Sequence, residues 1–363
     1  MMKMNKWTMA LAAAGVVSLS SVAQAQEAVA GAEAEAASGT LTGYVSTSYT
    51  MVKDGVAPAG YWNAANELDG YALDVIALNW ASAQGGGEYA TGYTVELWAG
   101  PNADNIDTSG NGNTVEIMEA NIDLRVPVGS GLNLKVGYFG TVVGHETYNY
   151  TDNAFHSRSF GFQVEPTHHT GILASYQASA DIAVQFGVAN NSSNNQINDR
   201  GASDGTVLLG SITYTLPDTL GPIGGTALKY ATVVGAGAAN DEKDYHYFEA
   251  AIPLPIEGLS YTLAFDAVEK DVGASDSVVG HYLSYGVNDK MTLNLRYEHG
   301  NINSGADAAF GATQNLDGLE SVTIGLDYKL WENVTSRVEW RMDDADGGVT
   351  DQETLAVNII YSF

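Results

Sequence analysis

The sequence predicts an all-β fold, a transmembrane antiparallel β-barrel of about sixteen strands. Three observations predict it. From Thr40 onward, apolar and polar residues alternate with period two in runs close to the length a tilted strand needs to cross a bilayer. The connections between runs alternate between short and long, as periplasmic turns and outer loops do. The final run places Leu355, Val357, Ile359, Tyr361 and Phe363 on one face and Thr354, Ala356, Asn358, Ile360 and Ser362 on the other.

Residues 1–25 read as a secretory signal, with Lys3 and Lys6 before an apolar stretch at 9–17 and Ala23-Gln24-Ala25 as the cleavage motif. Residues 26–39 are rich in Ala and Glu and read as a spacer, and 40–363 as the barrel. The runs fall at 40–51, 70–81, 89–99, 114–125, 131–139, 169–177, 181–190 and 205–215, then at 226–236, 244–252, 259–269, 276–286, 290–299, 319–329, 334–342 and 353–363. Short turns are expected at 126–130, 178–180, 253–258, 287–289 and 330–333. Outer loops are expected at 52–69, 100–113, 139–168, 191–204, 300–318 and 343–352. An even strand count returns the last strand to the side where the first began. Residues 160–164 also alternate and read as a further strand or a strand fragment broken at Pro166.

Tyr71, Trp80, Trp98, Tyr214, Tyr297, Tyr328, Trp331 and Trp340 lie toward strand ends, where amphipathic rings favour a membrane–water interface. A closed sheet also pairs every backbone polar group that lipid cannot satisfy.

The chain carries 43 acidic residues against 15 basic ones, a formal charge of −28. That balance excludes nucleic acid as a partner, because phosphate binding needs basic surface. It contains no cysteine, so no disulfide framework is used in a chain whose export would permit one.

The longest connection, 139–168, is the candidate for a loop that folds into the lumen and narrows it, since compact proteins rarely carry so long a loop without a role. It holds His145, Glu146, Asp152 and Arg158 together with Tyr148, Tyr150, Phe155, Phe160 and Phe162, a mixture suited to packing against a wall. Taking Leu, Val and Tyr as the lipid face puts Asp123, Arg125, Lys135, Arg296, Glu298, Asp327, Lys329, Arg337, Glu339 and Arg341 on the lumen face. Charges of both signs on an inner wall fit a water-filled lumen, because a dry interior penalises them. Arg296, Lys329, Arg337 and Arg341 make one wall comparatively basic.

Gly137-Tyr138-Phe139-Gly140-Thr141, Gly144-His145-Glu146, Asn153, Ser157-Arg158-Ser159, Glu165-Pro166 and His169-Thr170-Gly171 resemble the central signature of the second β-barrel porin family of bacteria, the OmpL-like porins. The resemblance covers about 137–176 and implies an outer-membrane pore. It singles out Glu146 and Arg158, with His145 outside the signature.

The function expected from these readings is passive diffusion of small hydrophilic solutes and ions across the bacterial outer membrane. A cation preference is expected because the outer loops carry acids in excess, and a mouth of one sign concentrates counter-ions. Expected partners are outer-membrane lipid, the barrel-assembly machinery and, by analogy with sixteen-stranded porins, two further copies in a homotrimer. A barrel hydrolase acting on lipid or ester would need a Ser–His pair oriented by Asn or Asp, and no local arrangement singles one out. A structural or adhesive barrel is the third reading. No cofactor is expected. Asp344, Asp346 and Glu353 match the later part of a calcium loop, but Met342 occupies its first ligand position, so a divalent cation at the acidic outer loops rests on weak candidates.

Overall fold

In the computed structural model, residues 39–53, 69–106, 114–190, 197, 206–238, 241–271, 273–303, 316–346 and 349–363 are described. The expected signal segment, nearly all of the expected spacer, half of the loop expected at 100–113 and most of those expected at 52–69, 191–204 and 300–318 lie outside them. The first eight strands are β1 (Thr40–Val52), β2 (Asp69–Ser82), β3 (Thr91–Ala99), β4 (Val115–Val126), β5 (Leu132–Gly140), β6 (His168–Gln177), β7 (Ile182–Asn190) and β8 (Thr206–Thr215). The remainder are β9 (Ala227–Ala238), β10 (Asp241–Pro253), β11 (Leu259–Lys270), β12 (Asp276–Asn288), β13 (Met291–Ile302), β14 (Leu316–Trp331), β15 (Val334–Asp346) and β16 (Val349–Ser362). Each pairs with its sequence neighbours, and β1 pairs antiparallel with β16, closing the barrel. Closure leaves no free edge.

The outward face is apolar: Leu293 and Leu295 on β13, Ile324 on β14, Val338 on β15, and Leu355, Val357 and Ile359 on β16 are all exposed. Their alternate neighbours, including Asn294, Arg296, Glu298, Thr323, Arg337, Glu339 and Asn358, are buried and face inward. The seam is sealed at Gly43, whose N–H donates to the Phe363 carbonyl at 3.0 Å and whose carbonyl accepts from Phe363 N–H at 2.9 Å. A side chain there would meet the Ala77 carbonyl at 2.3 Å and the Phe363 ring at 2.8 Å, so glycine is required by the close approach.

Two expected elements differ. Residues 160–164 form a helical turn, α2 (Phe160–Val164), after an earlier short helix α1 (Pro101–Ile106). Ser159 caps α2, its Oγ accepting from Phe162 N–H at 3.0 Å. Period two and period 3.6 cannot be separated over five residues, and the cap decides between them. The acidic segment 343–352 is largely strand, since β15 runs to Asp346 and β16 begins at Val349. Asp344 and Asp346 are exposed on β15. Glu353 bonds to Lys53 Nζ at 2.7 Å and to Trp340 Nε1 at 3.1 Å. Among the described residues no three His, Cys, Asp or Glu side chains gather at metal-binding distance.

Candidate functional site: the loop against the inner wall

The connection from β5 to β6, residues 141–167, starts and ends on strands that stand opposite β13 and β14 in the ring. Its bonds reach inward-facing side chains of that opposite wall. Arg296 on β13 donates from Nη1 to Glu146 Oε1 at 2.6 Å, and from Nη2 to Ser157 Oγ at 2.9 Å and Thr323 Oγ1 at 3.1 Å. Glu298 Oε1 accepts the Phe160 and Gly161 N–H groups at 2.7 and 3.2 Å. Glu339 Oε2 accepts those of His156 and Ser157 at 2.7 and 3.1 Å. Arg337 donates to the Tyr150, Phe155 and Asn153 carbonyls, and Arg341 to the Arg158 carbonyl at 2.7 Å. Aromatic rings from the loop cover two of these guanidiniums, Phe155 over Arg296 at 4.8 Å and Phe160 over Arg341 at 4.9 Å. Planar cations with fixed donors suit both kinds of contact.

The loop also organises itself. Arg158 fans into the carbonyls of Thr147 (2.8 Å), Tyr148 (2.6 Å) and His156 (3.2 Å), with its guanidinium 4.7 Å from the Tyr150 ring centroid. Asn153 closes the turn 147–153 by donating to the Thr147 carbonyl at 2.8 Å and accepting from Thr147 N–H at 2.9 Å. Tyr150 N–H donates to Tyr44 Oη on β1, Tyr150 Oη accepts from Asn102 on α1, and Tyr148 Oη donates to Glu96 on β3. On the far side, His145 Nδ1 lies 2.9 Å from Glu249 Oε2 on β10.

Electrostatics follow from burial and partner. Burial pushes the Glu146 carboxyl up, but the Arg296 and Arg158 guanidiniums outweigh it and hold the group below the usual carboxylate range. Burial lowers His145, and Glu249 outweighs it, leaving the imidazole raised. His156, buried without such a carboxylate contact dominating, is lowered.

The expected charged residues therefore divide. Arg296, Glu298, Arg337, Glu339 and Arg341 face inward, where they lie beneath the loop and not against open water. Glu146 and Arg158 are likewise buried, 8% and 1% exposed, and occupied by protein partners. Alternation reveals which face a side chain takes and is silent on what covers that face. Asp123, Arg125 and Lys135 are half-buried on β4 and β5, with Lys135 Nζ 3.8 Å from Glu119 Oε2. Asp327 is half-buried and Lys329 exposed on β14, and Asp152 is exposed in a 3-10 turn, Tyr150–Asp152. Lys229, Glu249 and Asp266 also face inward and are buried, on β9, β10 and β11, and were missed. Their signal was available: each occupies the inward register of its strand.

Over residues 36–363 the chain matches the protein family described as "Putative beta-barrel porin-2, OmpL-like". The chain belongs to that family. Solved structures share the porin's fold at low identity. The outer membrane channel DcaP of Acinetobacter baumannii aligns at a TM-score of 0.61 and 13% identity, over 92% of this chain and 100% of that one. An anion-selective porin from Comamonas acidovorans aligns at 0.56 and 14%, over 90% and 99%. OmpT of Vibrio cholerae in a trimer form aligns at 0.56 and 13%, over 90% and 100%. No curated protein matches. Family and barrel together make the porin an outer-membrane channel protein of bacteria.

Proposed function

We propose that this porin is a diffusion channel for small hydrophilic solutes and ions, narrowed by the 141–167 loop and preferring cations. The observation that carries the reading is the fate of the wall arginines. Arg296 and Arg341 are consumed by carboxylates, loop carbonyls and rings, and Arg337 by Asp327 and three loop carbonyls. The charges left exposed or half-buried toward the interior, outside the wall-arginine pairs, are Glu119, Asp123 and Asp152 against Arg125, Lys135 and Lys329, and Asp317, exposed near the outer end of β14, adds the acidic excess. A net acidic lining favours cations at low ionic strength, and its reach shrinks with a Debye length of about 10 Å at 0.1 M salt. The fold does not dictate the sign, since it is shared with an anion-selective porin.

The channel works on this reading without a cofactor or a resident metal, its outward apolar face lies against outer-membrane lipid, and the assembly it carries is a homotrimer. Stepwise conductance of the purified protein in a planar bilayer is the test, with reversal potentials across a salt gradient. A barrel that reconstitutes and passes no current would overturn the channel reading. Anion selectivity at low salt would overturn the preference alone.

A further inference from the structure

The two arms of the loop meet at Gly144 and Glu165. Gly144 takes φ 96°, and a side chain there would sit 2.2 Å from Glu165 Oε2. Beyond this meeting point the Glu165 carboxyl, its Oε1 buried with no donor among the described residues, comes within hydrogen-bonding reach of the Asp266 carboxyl on β11. Asp266 is 6% exposed, and its Oδ2 lies against Gly161, where a side chain would come within 2.5 Å. Two carboxyl groups can hydrogen-bond to each other only if one of them carries a proton. Burial and Asp266 together drive Glu165 well above the usual carboxylate range.

Charged groups converge on this pair from β9, β10, β13 and the other arm of the loop, and β12, which also packs on α2, brings Tyr282 against His145 with ring centroids 4.1 Å apart. Lys229 comes from β9, with its Nζ 5.3 Å from the Tyr247 ring centroid. Glu249 comes from β10, cross-strand from Lys229 and hydrogen-bonded to Tyr247 Oη and His145. His145 and Glu146 come from the other arm of the loop, and Arg296 and Glu298 from β13 beyond Glu146. With the shared proton in place the pair carries one negative charge. When it leaves, Glu165 and Asp266 become two adjacent carboxylates beside Glu249 and Glu146, opposed by Lys229, His145 and Arg296. A second like charge at hydrogen-bond distance in a buried site is strongly unfavourable.

We propose that Glu165 and Asp266 form a proton-sharing latch that clips the end of the second arm of the loop, 162–167, to β11, and that loss of the shared proton releases this segment while Arg296 and Glu298 retain the rest. The sign follows from linkage. A carboxyl raised in the docked state supports docking fully below its ordinary pKa and loses that support as pH rises through the raised value. His145 is also raised, so its pairing with Glu249 weakens in the same direction. Substitution must therefore separate the two groups.

Amide hydrogen exchange of the unaltered protein tests the latch whether or not the barrel conducts. Between about pH 5 and about pH 9, which spans the ordinary carboxyl and imidazole ranges, residues 162–167 should lose protection relative to residues 141–150 of the same loop. Equal protection of both segments at both pH values would overturn the latch. Its effect on flux rests on the channel reading. Single-channel conductance should rise over the same interval, and Glu165→Gln and Asp266→Asn should each lose that step, because an amide keeps a neutral hydrogen-bonding partner at any pH. His145→Gln should keep the step. A step that survives in both amide variants, or that disappears in His145→Gln alone, would assign the titration to His145 and Glu249 and overturn the proposal. Absence of any current, with the exchange difference intact, would count against the channel reading and leave the latch standing.

Discussion

Arg296 Nη1 and Glu146 Oε1 lie 2.6 Å apart, joining β13 to the loop across 150 positions of sequence. Arg296 is completely buried and Glu146 nearly so. A second carboxylate, Glu298, stands 3.2 Å from Arg296 Nε, so one guanidinium serves two buried anions. Removing it by Arg296→Ala takes from both the cation in direct contact with them, a change that costs about 3–5 kcal/mol for a buried pair. The expected outcome is a barrel that still assembles and a loop that undocks: protease cleavage within 141–167 appears and conductance increases. An unchanged cleavage pattern would show that the pair does not hold the loop.

The same pair sets an acid limit. Glu146 is held below its ordinary range, so its contribution to docking is present above that range and lost as pH falls through the lowered value. Below about pH 4, under the ordinary glutamate value, the loop should loosen and current noise should rise. Recordings between about pH 5 and about pH 3 check this, and steady current throughout would contradict it.

Arg158 tests whether fork geometry matters apart from charge. Its Nε and both Nη atoms serve three different carbonyls, which a lysine ammonium on its flexible stem cannot span together. Arg158→Lys should weaken loop order by about 1–3 kcal/mol, the range for hydrogen bonds to a charged group. Faster amide exchange at 147–156 with unchanged exchange in the strands is the expected readout.

Selectivity should respond to the groups that face water. Asp123→Asn combined with Asp152→Asn should shift the reversal potential toward zero at low salt, and the difference from the unaltered channel should shrink as salt rises. Arg341→Gln is the contrast. Its guanidinium is already engaged by Asp343 and the Arg158 carbonyl, so it should alter loop order more than ion preference. A large gain in cation preference from Arg341→Gln would return that arginine to the conducting path.

Barrel closure has its own test. Gly43→Val would drive a side chain into the Ala77 carbonyl and the Phe363 ring. Backbone carbonyls cannot move aside as flexible side chains can, so the β1–β16 seam should fail. The measurement is the yield of assembled barrel in the outer membrane, with Gly210→Ala on β8 as a control, where the nearest atom is the Thr232 methyl at 3.7 Å. Equal yields would dismiss the seam argument.

The sixteen strands were legible because alternation is a local property, and Leu355 to Tyr361 show it without any partner in view. The inward face of Arg296, Glu298, Arg337, Glu339 and Arg341 was legible for the same reason. What covers that face was not. Glu298 meets Phe160 and Gly161 only because the loop crosses from β5 to the opposite wall, and no local pattern encodes a contact 138 positions away. The acids at Asp344 and Asp346 were read as a loop because charge usually marks one, yet a strand beyond the apolar band can carry charge on its outward side. Lys229, Glu249 and Asp266 were open to the same register argument that found Arg296.

The loop's opposite-wall partners are encoded well after the loop itself: Gly161 precedes Glu298 by 137 residues, and Tyr150 precedes Arg337 by 187. While the barrel is being built, residues 141–167 exist before the surface they rest on. Their carbonyls and amides must stay hydrated until β13 and β15 are in place, and the ring itself closes only when β16 reaches β1. The docking of the loop is thus a late event in the life of the chain. A barrel interrupted before its last four strands would have neither a closed wall nor most of the side chains that hold the loop down.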